Sequence, residues 1–579
     1  MFAFSGVDGE TCHAEPFVAA GTKGGIGWDF WLEPRVVVHA NVGVVRLVSG
    51  AFPEDFCFSD CWSCTIGINE MMGHVRGALV DRASMVVHIA FDELPEGVFP
   101  ELTIRNQEPF EKLVDVVCGR GWWFAIHRTP PAFDRRFGIA VSYASEAEAI
   151  ERARRATEAD LDTVMAARLA FYATHKAPST LAGANCQTYY KAVSVMKVNV
   201  ESAQLDIPCR WSTPDRMPHR HMWLWDSAFA ALGLQYLRHD LAEDTLRALA
   251  AKQHDDGRFP LAAPPEAPSR RGAADRALTS GESQPPIVAW AVTQIAMHAP
   301  NDAFIEEMYP SLVRYLEWFE RNRRKDSGLY GWAVRVDNDA IRGARGGESG
   351  MDNSPRFDNI DALTAVDLSS YMANEYGCLA AMARRLGREE EAREWQERRE
   401  RIEEGVNGLL WDDGDQFYYD LAEDGSFIPV KTVAGFMPLF GRIASRDHAE
   451  ALRIHLTHTG EFWTPLPIPS VSIDEPAFSK DMWRGPTWVN VNLLVYYGLT
   501  AYGFVHEARD LARNTMGEIV RHYLSTGCLF EYYDPMSRVA PPELPRKGAP
   551  GKEGGTGFGV VEDLGWTAAV YIGLAHETA

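Results

Sequence analysis

From about residue 187 to the C-terminus the chain runs as one helix-length segment after another, and this succession restricts the fold more than any other feature. Leu312, Tyr315, Leu316 and Phe319 share a face of SLVRYLEWFERNR. Leu368, Met372, Leu379 and Met382 share another, and Val505, Ala508, Ala512, Ile519 and Tyr523 a third. Residues three, four and seven apart lie on one side of an α-helix, so these stripes predict amphipathic helices. About a dozen such segments fit between 187 and 577, often paired around short connections. So many paired helices close into a barrel of helical hairpins or stack as an open solenoid. Identity between the pairs is too low to mark a repeat. Solenoid connections are short and alike, whereas several here are long, aromatic and acidic.

The N-terminal texture is different. RVVVHANVGVVRLVSG, SMVVHIAFDEL, WWFAIHR and FGIAVSYA are short, β-branched or aromatic, and broken by Gly, Pro and Asp. They predict an antiparallel β-sandwich over 1–145. From 146 the string SEAEAIERARRATEADLDTVMAARLAFYATH is rich in helix formers, with Ser145 placed to cap and Glu148 three residues on. The expected organisation is a β-sandwich (1–145), a helical linker (146–186) and a helical domain (187–579).

A chain of 579 residues exceeds one ordinary core. Its formal charge of −23, from 57 basic and 80 acidic residues, argues against nucleic acid or an anionic membrane as partner, since both need basic patches. No apolar run reaches membrane-spanning length. MFAFSGVDGETCHAEPF has no basic region followed by an apolar one, so no signal peptide is expected. Nine scattered cysteines fit reduced thiols of a cytoplasmic protein. Cys57, Cys61 and Cys64 cluster in FCFSDCWSC, with His74 the nearest further metal ligand; the alternative is a strand packing small side chains inward, and no metal or cofactor is expected. The 17 Trp, 19 Tyr and 28 Phe often stand beside acids. That mixture suits sugars, whose C–H faces meet rings and whose hydroxyl rims meet carboxylates, though a large core also holds rings.

Four loops carry the chemistry. RWSTPDRMPHRHMWLWDSAF (210–229) holds Arg216, His219, Arg220, His221, Trp223, Trp225 and Asp226 ahead of a helix, where Asp226 either caps or meets a ligand. ESGMDNSPRFD (348–358) carries Glu348, Asp352, Asn353, Arg356 and Asp358 on a turn punctuated by Gly350 and Pro355. There Asn353 and Arg356 can orient carboxylates. DMWRGPTWVNVNLLVYYGL (481–499) gathers Trp483, Arg484, Trp488, Asn490 and Asn492, with Pro486 suited to a first helical turn. FEYYDPMS (530–537) places Glu531 beside Tyr532, Tyr533 and Asp534, and GWTAAV brings Trp566 to the last helix. Asp352 and Glu531 thus form a candidate pair. Glycoside hydrolysis needs two carboxyls of opposite duty, one keeping a proton for the leaving oxygen and one ionised to act on water or carbon.

PHRHMWLWDSAF, ESGMDNSPRFD, LWDDGDQFYYD, WRGPTWVNVNLLVYYGL, FEYYDP and GWTAAV, in that order, resemble glycoside hydrolase family 63 over about 187–579. That family includes processing α-glucosidase I, bacterial α-glucosidases, and mannosylglycerate and glucosylglycerate hydrolases. The resemblance implies an (α/α)6 barrel behind the sandwich and an inverting mechanism. It implies Asp352 as general acid and Glu531 as general base, roughly 6.5–9.5 Å apart. By the matching loops Trp225, Asp226, Trp483, Arg484 and Trp566 line the sugar subsite, with Arg356 among them orienting Asp352 or a neighbour. Gly565 stands where members often carry Ser, and the trehalase-type QWDxPNGW stretch is missing. The expected substrate is a small α-glucoside or α-mannoside. Arg216, Arg220 and Arg484 suit an anionic aglycone or pair with local acids. The other readings are a lyase, epimerase or phosphorylase on the same scaffold, for which His219 and His221 speak, or an inactive sugar-binding relative. Oligomeric state is not legible.

Overall fold

The computed structural model describes the backbone of residues 2–3, 19–22, 27–32, 36–41 and 46–47, and residues 55–579 other than 69–70, 96–98, 101, 105–112, 120, 217–218, 220, 265–280, 335–345, 359 and 548–558. The first strands are β1 (Phe2–Ala3), β2 (Ala19–Thr22), β3 (Gly27–Leu32), β4 (Val36–Asn41) and β5 (Arg46–Leu47). Then come β6 (Phe56–Cys57), β7 (Cys61–Ile68), β8 (Met71–Asp81), β9 (Ser84–Phe91) and β10 (Thr103–Ile104). The last of this region are β11 (Val114–Gly119), β12 (Trp122–Arg128) and β13 (Asp134–Ser142). They build two antiparallel sheets, one ordered β1-β2-β3-β4-β10 and one ordered β11-β12-β13-β9-β8-β7-β5, with β6 pairing β7. SMVVHIAFDEL, WWFAIHR and FGIAVSYA, expected to be strands, fall on β9, β12 and β13, and RVVVHANVGVVRLVSG falls on β4 and β5, with 35, 42–45 and 48–50 outside the described residues.

Three helices follow: α1 (Glu146–Glu158), α2 (Leu161–Ala173) and α3 (Gly183–Val198). Ser145 caps α1, accepting from the Glu148 N–H at 3.1 Å. The Glu148 carboxylate does not reach back to the cap; it accepts from the Ser142 hydroxyl at 2.6 Å. Helix α1 lies on β12 and β13 through Ala149, Ala153, Ala156 and Thr157. The approach is so close that a Cβ on Gly138 in β13 would stand 1.9 Å from the Ala153 carbonyl oxygen. Small residues on both sides let the backbones meet.

The remaining helices are α4 (Leu224–Leu234), α5 (His239–Ala251), α6 (Val288–His298), α7 (Asp302–Asn322) and α8 (Val366–Arg385). Beyond them lie α9 (Glu389–Leu409), α10 (Met437–Phe440), α11 (Arg446–Thr457), α12 (Val489–Ala501), α13 (Val505–Thr526) and α14 (Gly565–Glu577). Neighbour relations make a closed cycle: α4 touches α6, α6 touches α8, α8 touches α10, α10 touches α12, α12 touches α14, and α14 returns to α4. A second layer backs it, with α5 on α4, α7 on α6, α9 on α8, α13 on α12 and α3 on α14. Side-chain patterns explain the two layers. Every residue of α4 is buried, and so are Gly565–Ala575 of α14. A helix apolar all round belongs inside. Helix α9 buries only Ala392, Trp395, Ile402 and Val406, a single stripe for the outer layer.

The three predicted stripes are buried faces with one exception: Val505, at the start of α13, is 41% exposed. One inner contact has no local signature in sequence. Glu375 of α8 is fully buried and accepts the Ala289 and Trp290 N–H groups of α6 at 2.7 Å each. It satisfies helix-terminal donors that otherwise lack partners. Burial pushes its carboxyl up to about 8, against those amides.

Candidate active site

Connections from an inner helix to its outer partner are short: 235–238, 299–301, 386–388 and 502–504. Connections leading into the inner helices are long, and they carry every loop marked in the sequence. The cycle therefore gathers these loops at the N-terminal ends of α4, α8, α12 and α14.

At its floor the site is aromatic. Trp483 and Trp488 stack, with centroids 3.8 Å apart and planes 5° off parallel. Trp225 lies 6.2 Å from Trp483 and 5.6 Å from Trp566, and Trp488 lies 5.6 Å from Trp566 and 4.7 Å from Tyr532. All five rings are buried. The loop of Asp352 rests on this cluster. Gly350 has φ +70°, and a Cβ there would meet the Trp225 ring at 2.6 Å. Both the left-handed backbone and the ring exclude a side chain. Gly350→Ala is expected to destabilise by about 1–3 kcal/mol and to lower turnover by shifting Asp352. Thermal melting beside steady-state rates checks it, and an unchanged variant would show that the loop has slack.

Glu531 is anchored on every side. Its backbone N–H donates to the Val561 carbonyl at 2.9 Å, and its own carbonyl accepts from the Trp566 indole N–H at 3.3 Å. Thr487 and Tyr533 exchange backbone hydrogen bonds of 2.9 and 3.1 Å, tying its loop to that of Trp483. On the carboxylate, Arg546 Nε donates to Oε2 at 3.1 Å, Arg546 Nη2 to Oε1 at 3.2 Å, and the Val561 N–H to Oε2 at 3.3 Å. The guanidinium fork across both oxygens is the arrangement an anionic carboxylate takes. Arg546 Nη2 also stands 3.2 Å from His219 Nε2, while His219 Nδ1 meets the Asp215 carboxylate at 2.7 Å. Asp352 pairs with Lys547, Nζ to Oδ2, at 2.5 Å. Successive cations, Arg546 and Lys547, thus reach the two candidate carboxylates.

Asp226 ties the arrangement together. It lies in the first turn of α4 but caps nothing, because Trp223 holds the N-cap position and no side chain caps the helix. Burial pushes its carboxyl well above the ordinary range, and the charges of Asp215, Glu531 and Asp352 push it further, opposed by its own N–H. Arg546 is held up, against its burial, by Glu531, Tyr532 and Asp352. Asn490, in the first turn of α12, has both amide atoms buried without a partner among the described residues. Such a group calls for a ligand or water.

Several sequence expectations resolve differently. Arg356 does not touch Asp352. It is buried against Asp367 and Asp420, Nη1 at 3.0 Å from each, below the loop it belongs to. Arg484 forks onto Asp358 at 3.0 and 2.7 Å and donates to the Asn353 carbonyl at 3.3 Å. Asn353 Oδ1 accepts from the Trp483 N–H at 2.8 Å. These two residues staple one loop to the next. Glu348 is buried and accepts from Arg323, Ser283 and Ala333, so it braces the turn. Arg216 is buried on Glu201, and Arg220 lies outside the described residues. Pro486 precedes α12, which starts at Val489. Cys61 and Cys64 are three apart on β7 and so face opposite sides of the sheet. His74 bonds Ser63, and among the described residues no group of three His, Cys, Asp or Glu side chains is arranged for a metal. Sequence reasoning misses Arg546 and Lys547, because LPRKGAPGKEGGTGFG has the look of a solvated loop. It misses Asp215 as well.

Residues 219–540 match the family described as mannosylglycerate hydrolase MGH1-like glycoside hydrolase domain. An uncharacterised protein of Borreliella burgdorferi is 30% identical over 257 residues, 43% of this chain, which spans about half (51%) of that relative. A mannosylglycerate hydrolase of Thermus thermophilus is 27% identical over 418 residues, covering 60% of this chain and 95% of that one. Among solved structures, a GH63 mannosylglycerate hydrolase from another strain of Thermus thermophilus, in complex with Tris and D-glycerate, superposes with a TM-score of 0.55. It is 25% identical over 67% of this chain and 99% of its own.

Proposed function

This chain belongs to the mannosylglycerate hydrolase MGH1-like glycoside hydrolase family, and on that premise we propose that it is an inverting hydrolase of α-glucosides or α-mannosides with a short acidic aglycone. That it is a glycoside hydrolase follows from the family; inversion, the residue roles and the aglycone are the proposal. One observation carries it: Glu531 and Asp352, 179 residues apart in sequence, are met by successive residues, Arg546 and Lys547, beside a cluster of buried tryptophans. The cycle of neighbours from α4 round to α14, backed by a second layer, supports an (α/α)6 barrel over 187–579. The antiparallel sheets support a β-sandwich over 1–145, joined by the linker of 146–186.

In this reading Asp352 gives a proton to the glycosidic oxygen. Glu531, oriented by Arg546 and the Val561 N–H, takes one from the water that attacks the anomeric carbon on the opposite face. The carboxyls then stand roughly 6.5–9.5 Å apart to admit that water. Trp225, Trp483 and Trp566 form the apolar bed of the sugar ring. Asp226, its carboxyl pushed up by burial, hydrogen-bonds a sugar hydroxyl, and Asn490 serves a hydroxyl or the water. Arg356 and Arg484 position the loop of Asp352 from below and from the side. Lys547, beside Asp352, faces the aglycone. The relatives named for mannosylglycerate, and the complex holding D-glycerate, point the same way.

Proton NMR of the first minutes of hydrolysis tests this. α-Mannosylglycerate or α-glucosylglycerate is expected to release the β-anomer first, with the α-anomer following by mutarotation. Initial release of the α-anomer would overturn inversion. Release of no sugar from either compound would overturn the substrate class.

A further inference from the structure

An ammonium bound to a carboxylate favours its anion, yet the acid of a glycosidase must carry a proton. Lys547 Nζ stands 2.5 Å from Asp352 Oδ2, and the two side chains are only 12% and 23% exposed. The pair is therefore neither a solvated surface contact nor chance proximity. Lys547 holds a left-handed backbone, φ +53°, which a non-glycine residue adopts only where its surroundings enforce it. Its neighbour Arg546 forks onto Glu531 and meets His219. Glu531 and Trp566 are 3% and 6% exposed.

We propose that Lys547 is a specificity-determining switch on Asp352, thrown by the negative charge of the aglycone; this rests on the hydrolase reading above. Without substrate the ammonium is paired with Asp352. A short hydroxycarboxylate aglycone takes the ammonium over, and Asp352 then picks up one proton from solvent. That proton passes to the leaving oxygen as the bond from the anomeric carbon breaks. The water oxygen bonds the anomeric carbon, Glu531 accepts the water's proton and returns it to solvent, and Lys547 pairs with Asp352 again when the acid leaves. One water is consumed and no proton is gained or lost over the cycle. A neutral aglycone offers the ammonium nothing, so Asp352 stays paired. The site reads charge through its acid catalyst rather than through affinity alone.

The test is calorimetry of D-glycerate binding to the full chain near neutral pH, in buffers of different ionisation enthalpy. Binding is expected to take up close to one proton in the wild type. In Lys547→Met and in Asp352→Asn that uptake is lost, and with glycerol it is not seen. In kinetics, Lys547→Met is expected to cut kcat/KM on the glycerate glycoside by about tenfold to a hundredfold. The same variant raises kcat on the glycerol glycoside, so the preference collapses. Glycerate binding without proton uptake in the wild type overturns the proposal, and so does an equal loss on both glycosides. Proton uptake that persists in a wild type releasing no sugar supports the exchange and sinks the hydrolase reading instead.

Discussion

Glu531→Gln is expected to lower kcat on an α-glycoside of poor leaving group by about a thousandfold or more, and Asp352→Asn by a similar factor. Both substitutions keep shape and remove one proton-transfer partner. Their losses separate on a glycosyl fluoride. Fluoride departs without protonation, so Asp352→Asn should recover to within about tenfold of the wild type there. Glu531→Gln should stay slow, because activation of water is needed whatever leaves. Circular dichroism and melting should show both variants folded, since Glu531 is tied in through its backbone and Asp352 sits at the mouth of the site. If the fluoride rescued Glu531→Gln instead, the two roles would be exchanged. Near-full activity in either variant would remove that residue from the reaction.

Asp352 and Glu531 stood out as candidates because short patterns carry them, each on an irregular loop that sets acids beside aromatic residues or Gly and Pro. Direction was not legible. Arg356 and Arg484 stand within a few residues of the site tryptophans or of Asp352, and sequence offers no means to tell an Arg aimed at a sugar from one aimed at Asp367 or Asp358. Those partners lie 11 and 126 residues away, and only the packing of α8 and the meeting of two loops decide between them. Arg546 and Lys547 fail for another reason. Their stretch has no periodicity and ordinary loop composition, so its role exists only once α14 closes the cycle onto α4. The helical layers were legible because burial writes itself as a stripe or as an all-round apolar helix. The closure of the cycle was not, since it depends on contacts such as Glu375 with the first turn of α6, 86 residues away.

The largest expected effect on stability belongs to Arg356, although it touches no substrate. Its guanidinium is 1% exposed and meets Asp367, which is 0% exposed, and Asp420, which is 4% exposed. Asp420 Oδ1 accepts the Val366 N–H at 2.8 Å. Asp367 Oδ1 accepts the Leu368 N–H and the Trp332 indole N–H, both at 2.8 Å. The triad thus joins the turn of Asp352, the start of α8 and the segment of Asp420. Its net worth against an apolar cluster is small, because ionised groups lose hydration on burial. Removing one member is a different matter, since two carboxylates are left buried with no counter-charge. Arg356→Met is therefore expected to cost about 3–5 kcal/mol. The sign with pH follows. In the variant the paired carboxyls bind protons more tightly folded than unfolded, so the deficit is smallest in acid and grows as pH rises toward neutrality. Adding Asp367→Asn and Asp420→Asn removes both charges and keeps an acceptor for each N–H, and the triple variant should regain more than half of the loss. Denaturant melts of the single and triple variants at acidic and neutral pH measure this. A deficit below about 1 kcal/mol, or one indifferent to pH, would mean that the acids find other partners and that the Asp352 turn is held from elsewhere.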